Sequence, residues 1–320
     1  MRKRFIRNIL AICVFLAAIP KLEAQEPVNI EPHGFALGFN FGMTDLWGNV
    51  GTQSILDHYY NKSYWGNTHY MGGLYARYCI HPALAIRLGA SYGTLYATDD
   101  WNYAQAIKST NMGTDAFQRY MRGQDIKDNI WEGDLLFEFN PLRLDAHSKV
   151  AHKAGQPELL FGVGYFHFKP FSTWTSRETG ISQYVNISDL HLDGNGFPGG
   201  PAPWDLWQIT VPLGIGWHWD IGDHVNLGVE YLWHYTMINY LDGGVSGTYV
   251  DPATFDKNLP PNQAYIAKEM EDKTWTKGYV GPYSSKDLRG NPGVNNSFSS
   301  ISVSAYYRFK VHSTPWWGGE

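Results

Sequence analysis

Seven charged side chains stand at alternate positions opposite apolar runs: Arg77, Arg87 and Arg308, with Glu132, Asp134, Glu138 and Glu230. Carboxylates placed in pairs can do general acid/base work. The same set, enclosed, must pair to offset the loss of water around each charge. The first reading is an acid/base site. The second is a salt-bridged plug, and a narrow enclosed lumen favours it. His218 and His234 share the side of Glu230. A lipid-modifying enzyme would need a serine beside one of them, near the outer lipid face, and sequence places none there.

Other chemistry is weaker. His191, Asp193 and Asn195 in HLDGNGFPGG begin a calcium-loop pattern. The twelve-residue spacing and terminal Glu are missing, so a flexible glycine-rich turn is expected. His147 and His152 are five apart with no further ligand beside them. No metal and no cofactor is assigned. Asn61-Lys62-Ser63 and Asn186-Ile187-Ser188 match the glycosylation pattern, which recurs by chance.

The elements that would position these charges repeat every two residues. In WQITVPLGIGWHWDIG, Trp207, Ile209, Val211, Leu213, Ile215, Trp217, Trp219 and Ile221 form one face. The other face is small or polar. Strict alternation with Pro212 and two interior glycines gives a strand, not a helix. It exceeds the usual soluble strand of about 5–6 residues and suits a membrane-spanning one of roughly 9–11 plus its ends.

The same reading gives eight strands: 34–45, 68–80, 83–96, 130–140, 159–168, 207–222, 225–237 and 300–309. The fifth is apolar on both faces. Connections alternate between short turns, at His81-Pro82, 141–158 and Gly222-Asp223-His224, and loops of roughly 20 to 60 residues. The fold class is therefore all-β: an eight-stranded antiparallel transmembrane β-barrel with short periplasmic turns, long extracellular loops and both termini periplasmic. Eight strands enclose a lumen that side chains fill, so no open pore is expected. A soluble sandwich would leave the one-sided loops unexplained.

The outward aromatics fit two interfacial rows: Tyr70, Tyr78, Trp131, Phe139, Trp207, Trp217, Trp219, Trp233, Tyr235, Tyr307 and Phe309. Trp207 is 10 to 12 residues from Trp217 and Trp219. At ~3.3 Å per residue and ~40° tilt, that spans about 25–30 Å, close to an apolar band of about 25 Å.

The start, MRKRFIRNILAICVFLAAIPKLEAQEP, reads as a secretory signal: a basic segment, a short apolar run, and cleavage after Ala24. The expected parts are a cleaved signal peptide (1–24), an outer-membrane barrel (25–309) and a periplasmic tail (310–320). The tail holds Trp316 and Trp317, read equally as a docking tail or an interfacial anchor. Cys79 alone remains after cleavage, so no internal disulfide is expected. Mean hydropathy is −0.34, yet aromatics are 16% of the chain and Gly is 34 of 320, as interfacial girdles and turns require. Removing the signal leaves 20 basic and 29 acidic residues, a balance that argues against a nucleic-acid partner.

Several segments together resemble one family: DIKDNIWEGDLLFEFNP (125–141), FGVGYFHFKP (161–170), ITVPLGIGW (209–217), TMINYLDGGVSGTYVD (236–251) and LRGNPGVNNSFSSISVSAYYRF (288–309). They resemble the PorG-like outer-membrane barrels of the type IX secretion system of Bacteroidota. The resemblance runs in order over most of the chain and is most specific in the last two segments. It implies a non-enzymatic component of the secretion machinery, associated with outer-membrane lipid and with a periplasmic ring of the PorK lipoprotein and PorN. Such a ring would be reached through the short turns or the tail. It transfers no catalytic residue. Gly243 and Gly244 follow Asp242 where the family pattern carries more acidic residues. The alternatives are a small barrel enzyme acting on outer-membrane lipid and a surface-binding barrel, the latter suggested by aromatic loops such as 239–296.

Overall fold

The computed structural model describes residues 34–51, 68–109, 111–145, 147–245, 247–278 and 287–309. The expected signal peptide and the 310–320 tail, with Trp316 and Trp317, lie outside the described residues.

Nine strands are present among them: β1 (Gly34–Trp47), β2 (His69–His81), β3 (Leu84–Thr98), β4 (Asp125–Phe139), β5 (Gly155–Thr175), β6 (Ser182–Asn186), β7 (Trp207–Ile221), β8 (Val225–Thr236) and β9 (Ser297–Phe309). Eight of them close a fully antiparallel barrel in the order β4-β3-β2-β1-β9-β8-β7-β5, with β4 pairing β5. Closure leaves no open edge in the hydrocarbon. The ninth, β6, is a short hairpin strand on the end of β5.

The outward faces are those expected from the alternation. Leu74 is 72% exposed, Leu88 63% and Ile215 61%. Water would oppose such a continuous apolar surface at about 25 cal/mol per Å², so its solvent is lipid. The chain is a transmembrane barrel of the outer-membrane type. Aromatic contacts mark both margins of the belt. At the long-loop end, Phe41 stacks on Tyr70 at 5.6 Å, Tyr92 meets Trp131 at 4.5 Å and Tyr165 stacks on Trp207 at 5.3 Å. At the short-turn end, Phe35 stacks on Phe309 at 5.9 Å, and Tyr307 packs edge-on against Phe309 at 5.2 Å.

Several strands run beyond the expected bounds at the long-loop end. β4 begins at Asp125 rather than 130 and β5 runs on to Thr175 rather than 168; at the short-turn end β5 also starts early, at Gly155 rather than 159. Above the belt the pattern inverts. Ile126, Ile130, Phe166 and Phe168 are buried inside, while Lys127 and Lys169 face out. These strand ends stand in water and need an apolar interior. That is why β5 reads as apolar on both faces.

The long loops fold over this end as a cap. They carry α1 (Tyr103–Ala106), α2 (Asp115–Arg122), α3 (Pro252–Asn258) and α4 (Pro261–Glu271). The α3 helix starts at Pro252, with the Asp251 side chain accepting from the Ala253 N–H. Phe255, Ala264, Ala267 and Met270 from these helices join Phe166, Phe168, Phe298, Leu95 and Ile130 of the barrel in one apolar core. Lumen and cap are thus one folding unit.

Candidate functional site

The lumen has three layers. The layer at the short-turn end is ionic. Arg87 donates from one guanidinium nitrogen to both Glu230 oxygens, at 3.1 and 3.0 Å, and stands 3.3 Å from Glu138. Arg77 donates to Glu138 and lies 3.8 Å from Glu158. Arg308 and Arg143 both donate to Asp220. His218 bridges the two groups: Nε2 lies 2.8 Å from Glu158, and Nδ1 is 2.9 Å from Asn226 Oδ1. The amide of Asn226 in turn donates to Asp220 at 3.1 Å. Four guanidinium groups therefore meet four carboxylates, which is how enclosed charges offset their desolvation. Tyr75 and Tyr306 lie under Arg87 and Arg77, at 4.8 and 4.9 Å, as cation–π platforms.

Glycines paired with these large groups on the neighbouring strands leave room for them. A Cβ at Gly228 would come within 2.6 Å of the His218 ring, and one at Gly38 within 2.5 Å of Tyr75. This accounts for the small, polar inner face seen in the sequence. A cavity of about 10 Å³ remains among Arg77, Arg143, Glu138, Glu158, His218 and Tyr306, room for about one water.

The middle layer holds Glu132, Asp134 and His234. His234 Nδ1 lies 2.9 Å from Glu132, and its ring stacks on Phe298 at 4.3 Å. Above it lies the apolar layer of Phe166, Phe298 and Ile130.

The structure thus brings together Arg77, Arg87, Glu138 and Glu230 of the seven singled-out charges. Arg308 enters the same ionic layer through Asp220, while Glu132 pairs with His234 in the layer above and Asp134 makes no ion pair with an arginine among the described residues. Sequence reasoning misses Glu158 and Arg143, because it places residues 141–158 in a connection; β5 begins at Gly155 and carries Glu158 inward. The alternation Glu158-Leu159-Leu160-Phe161 is the signal that could have found Glu158. Asp220 and His218 fall on the inner face in the sequence, but their place in the network is not legible there.

All eleven girdle aromatics face outward. Tyr70, Tyr78, Trp131, Trp207, Trp217, Tyr235, Tyr307 and Phe309 are exposed, and Phe139, Trp219 and Trp233 are half-buried by neighbours. Among the described residues, no group of three or more His, Cys, Asp or Glu side chains could hold a metal ion. His191, Asp193 and Asn195 form a glycine-rich turn in which Asp193 accepts from the Asn195 N–H and the Trp204 indole.

The cap has its own polar knot. Arg122 donates to both Asp99 oxygens at 2.8 Å, to the Arg289 carbonyl at 2.7 Å and to the Asn49 carbonyl at 2.6 Å. One side chain so joins three loops. Arg289 donates to the carbonyls of Glu271 and Gly244, both at 3.1 Å. Asp242 accepts from the Asn49 N–H at 2.6 Å; burial holds its carboxyl above the usual range. Burial likewise pushes Glu271 up to about 7, against the opposing pull of Arg289 and the Val250 N–H.

No protein-family model matches the chain, and no curated protein matches it. Among solved structures it is similar to Ail, the attachment invasion locus protein of Yersinia pestis, at 9% identity and TM-score 0.35, over 87% of this chain and 100% of that one. It is similar to a major outer membrane protein from Thermus thermophilus at 14% identity and TM-score 0.35, over 87% and 100%. It is also similar to the outer membrane protein OprG from Pseudomonas aeruginosa at 10% identity and TM-score 0.32, over 89% and 99%. At these scores the fold rests on the strand pairings themselves.

Proposed function

We propose that this chain is a non-enzymatic outer-membrane component of the type IX secretion system. Its short turns face the periplasm and meet the ring of the PorK lipoprotein and PorN. The observation that carries the reading is the ordered resemblance of five segments, 125–141, 161–170, 209–217, 236–251 and 288–309, to the PorG-like barrels. The geometry supports a scaffold. Ionic, mixed and apolar layers fill the lumen from one end to the other, and the cap closes the long-loop end. The His218 ring is enclosed, with Glu158 2.8 Å from Nε2 and Asn226 2.9 Å from Nδ1, and Ser304 on the same inner face is fully buried. A serine–histidine nucleophile opening to lipid has no support there.

The test is an affinity pull-down from gently solubilised outer membranes, with the tag in a long loop. Co-recovery of PorK and PorN is the expected result; a folded barrel recovered without them refutes the reading. Loss of the ring on deleting 310–320 would place the dock in the tail, and its retention would place it in the short turns.

A further inference from the structure

The connection from β4 to β5 is the longest of the three short-turn connections, and its described residues, 140–145 and 147–154, are tightly built. The Asn140 side chain accepts from the Leu142 N–H at 3.0 Å. Gln156 Nε2 donates to the carbonyls of Val150, Ala151 and Lys153, at 3.0, 3.3 and 2.8 Å. Arg143 turns into the lumen and is neutralised by Asp220. The rest of the turn presents a different face. Leu142, Leu144 and Val150 are exposed, and so are Lys149 and Lys153, with Asp145 the one acidic residue among them.

Height decides what meets this face. Gly155, the first residue after the turn, pairs with Trp219. A Cβ there would stand 3.0 Å from the Trp217 indole nitrogen and 3.2 Å from that of Trp219. Interfacial tryptophans sit at headgroup level, so the stem of the turn lies there too. On its other side the turn hangs directly from Phe139, where the lipid-facing belt of Leu135 and Phe137 ends. The exposed leucines follow that belt along the chain, and Lys149 and Lys153 are exposed on the same turn, within reach of the headgroup level set by its stem.

We propose that this turn is a lipid-headgroup site. Leu142, Leu144 and Val150 enter the boundary between acyl chains and headgroups, while Lys149 and Lys153 take the phosphate of an anionic phospholipid. Lysines at a membrane surface attract anionic lipid by about fivefold each. The proposal needs only that the short-turn end meets a bilayer surface, so it stands or falls apart from the secretion reading.

The full barrel, reconstituted in phosphatidylcholine vesicles, would be probed with spin-labelled phosphatidylglycerol and spin-labelled phosphatidylcholine. The readout is the ratio of their association constants at the protein boundary. The expected result is a preference for phosphatidylglycerol that survives in K149R/K153R. In K149Q/K153Q it drops by about fivefold per lysine removed. Heat-modified mobility on gels confirms that each variant is folded. Equal association of the two lipids with the unaltered barrel, or an unchanged preference in folded K149Q/K153Q, overturns the proposal. Recovery of a protein partner through these two lysines would also overturn it.

Discussion

At the scale of single residues, Arg87 carries the lumen's ionic layer. It is buried and touches Glu230 and Glu138 at once. Replacing it by methionine would leave two enclosed carboxylates short of a partner, at a cost of about 3–5 kcal/mol. The double variant R87M/E230L should recover a large part of that loss, because a matched apolar pair needs no desolvation. Urea unfolding of the barrel in liposomes reads both. Glu271 makes a second case, in the cap. Its carboxyl is raised from 4.5 to about 7 by burial, so the folded cap holds that proton more tightly than the opened one. The cap is then most stable below pH 4.5 with respect to this group, and loses that stability as pH rises toward about 7. Hydrogen exchange of the cap amides should quicken over that window, and E271Q should abolish this part of the dependence. Of these residues the sequence exposes the inward Arg87, Glu138 and Glu230, because each falls in phase on the face opposite an apolar run. It cannot pair them, because register around a closed barrel is a property of all eight strands. Glu271 gives no signal at all, since its burial depends on how distant loops meet.

At the scale of elements, the strand faces are legible and the strand ends are not. Lipid demands an apolar outward face, and this writes an alternation that composition cannot hide, as in β7 from Trp207 to Ile221. Beyond the membrane the demand reverses, so 125–129 of β4 and 169–175 of β5 break the expected phase and fall outside the strands read from sequence. The short strand β6 has exposed Ser182, Gln183 and Tyr184 and carries no pattern. The helices of the cap leave a readable trace. Asp251 before Pro252, and Pro260-Pro261 before an Ala- and Glu-rich run, are helix starts, masked by loops that read as merely polar. The belt itself can be tested by depth. Ile215→Arg, midway along β7, should cost about 2–4 kcal/mol, and Trp207→Arg, at the margin, about 0–1 beyond its lost aromatic contacts. Unfolding in liposomes of defined thickness measures both.

At the scale of the whole molecule, barrel and cap form a solid body. The apolar core runs without a break from the lumen into the loops, and the ionic layer closes the other end. The barrel should therefore add no ion conductance to a planar bilayer, and stepwise channel openings would contradict that packing. A solid barrel acts through its surfaces. On the two proposals made above, the turns at Pro82 and Asp223 would meet the secretion ring and the β4–β5 turn, which lies between those two around the barrel, would meet lipid. The most direct test of this account is photo-crosslinking in living cells. The crosslinking amino acid would replace Pro82, Asp223 or, on the cap, Met112. The account predicts adducts to the PorK lipoprotein or PorN from positions 82 or 223 and none from 112. Ring adducts from position 112, or none from 82, 223 or a further position in the 310–320 tail of a folded barrel, would contradict it.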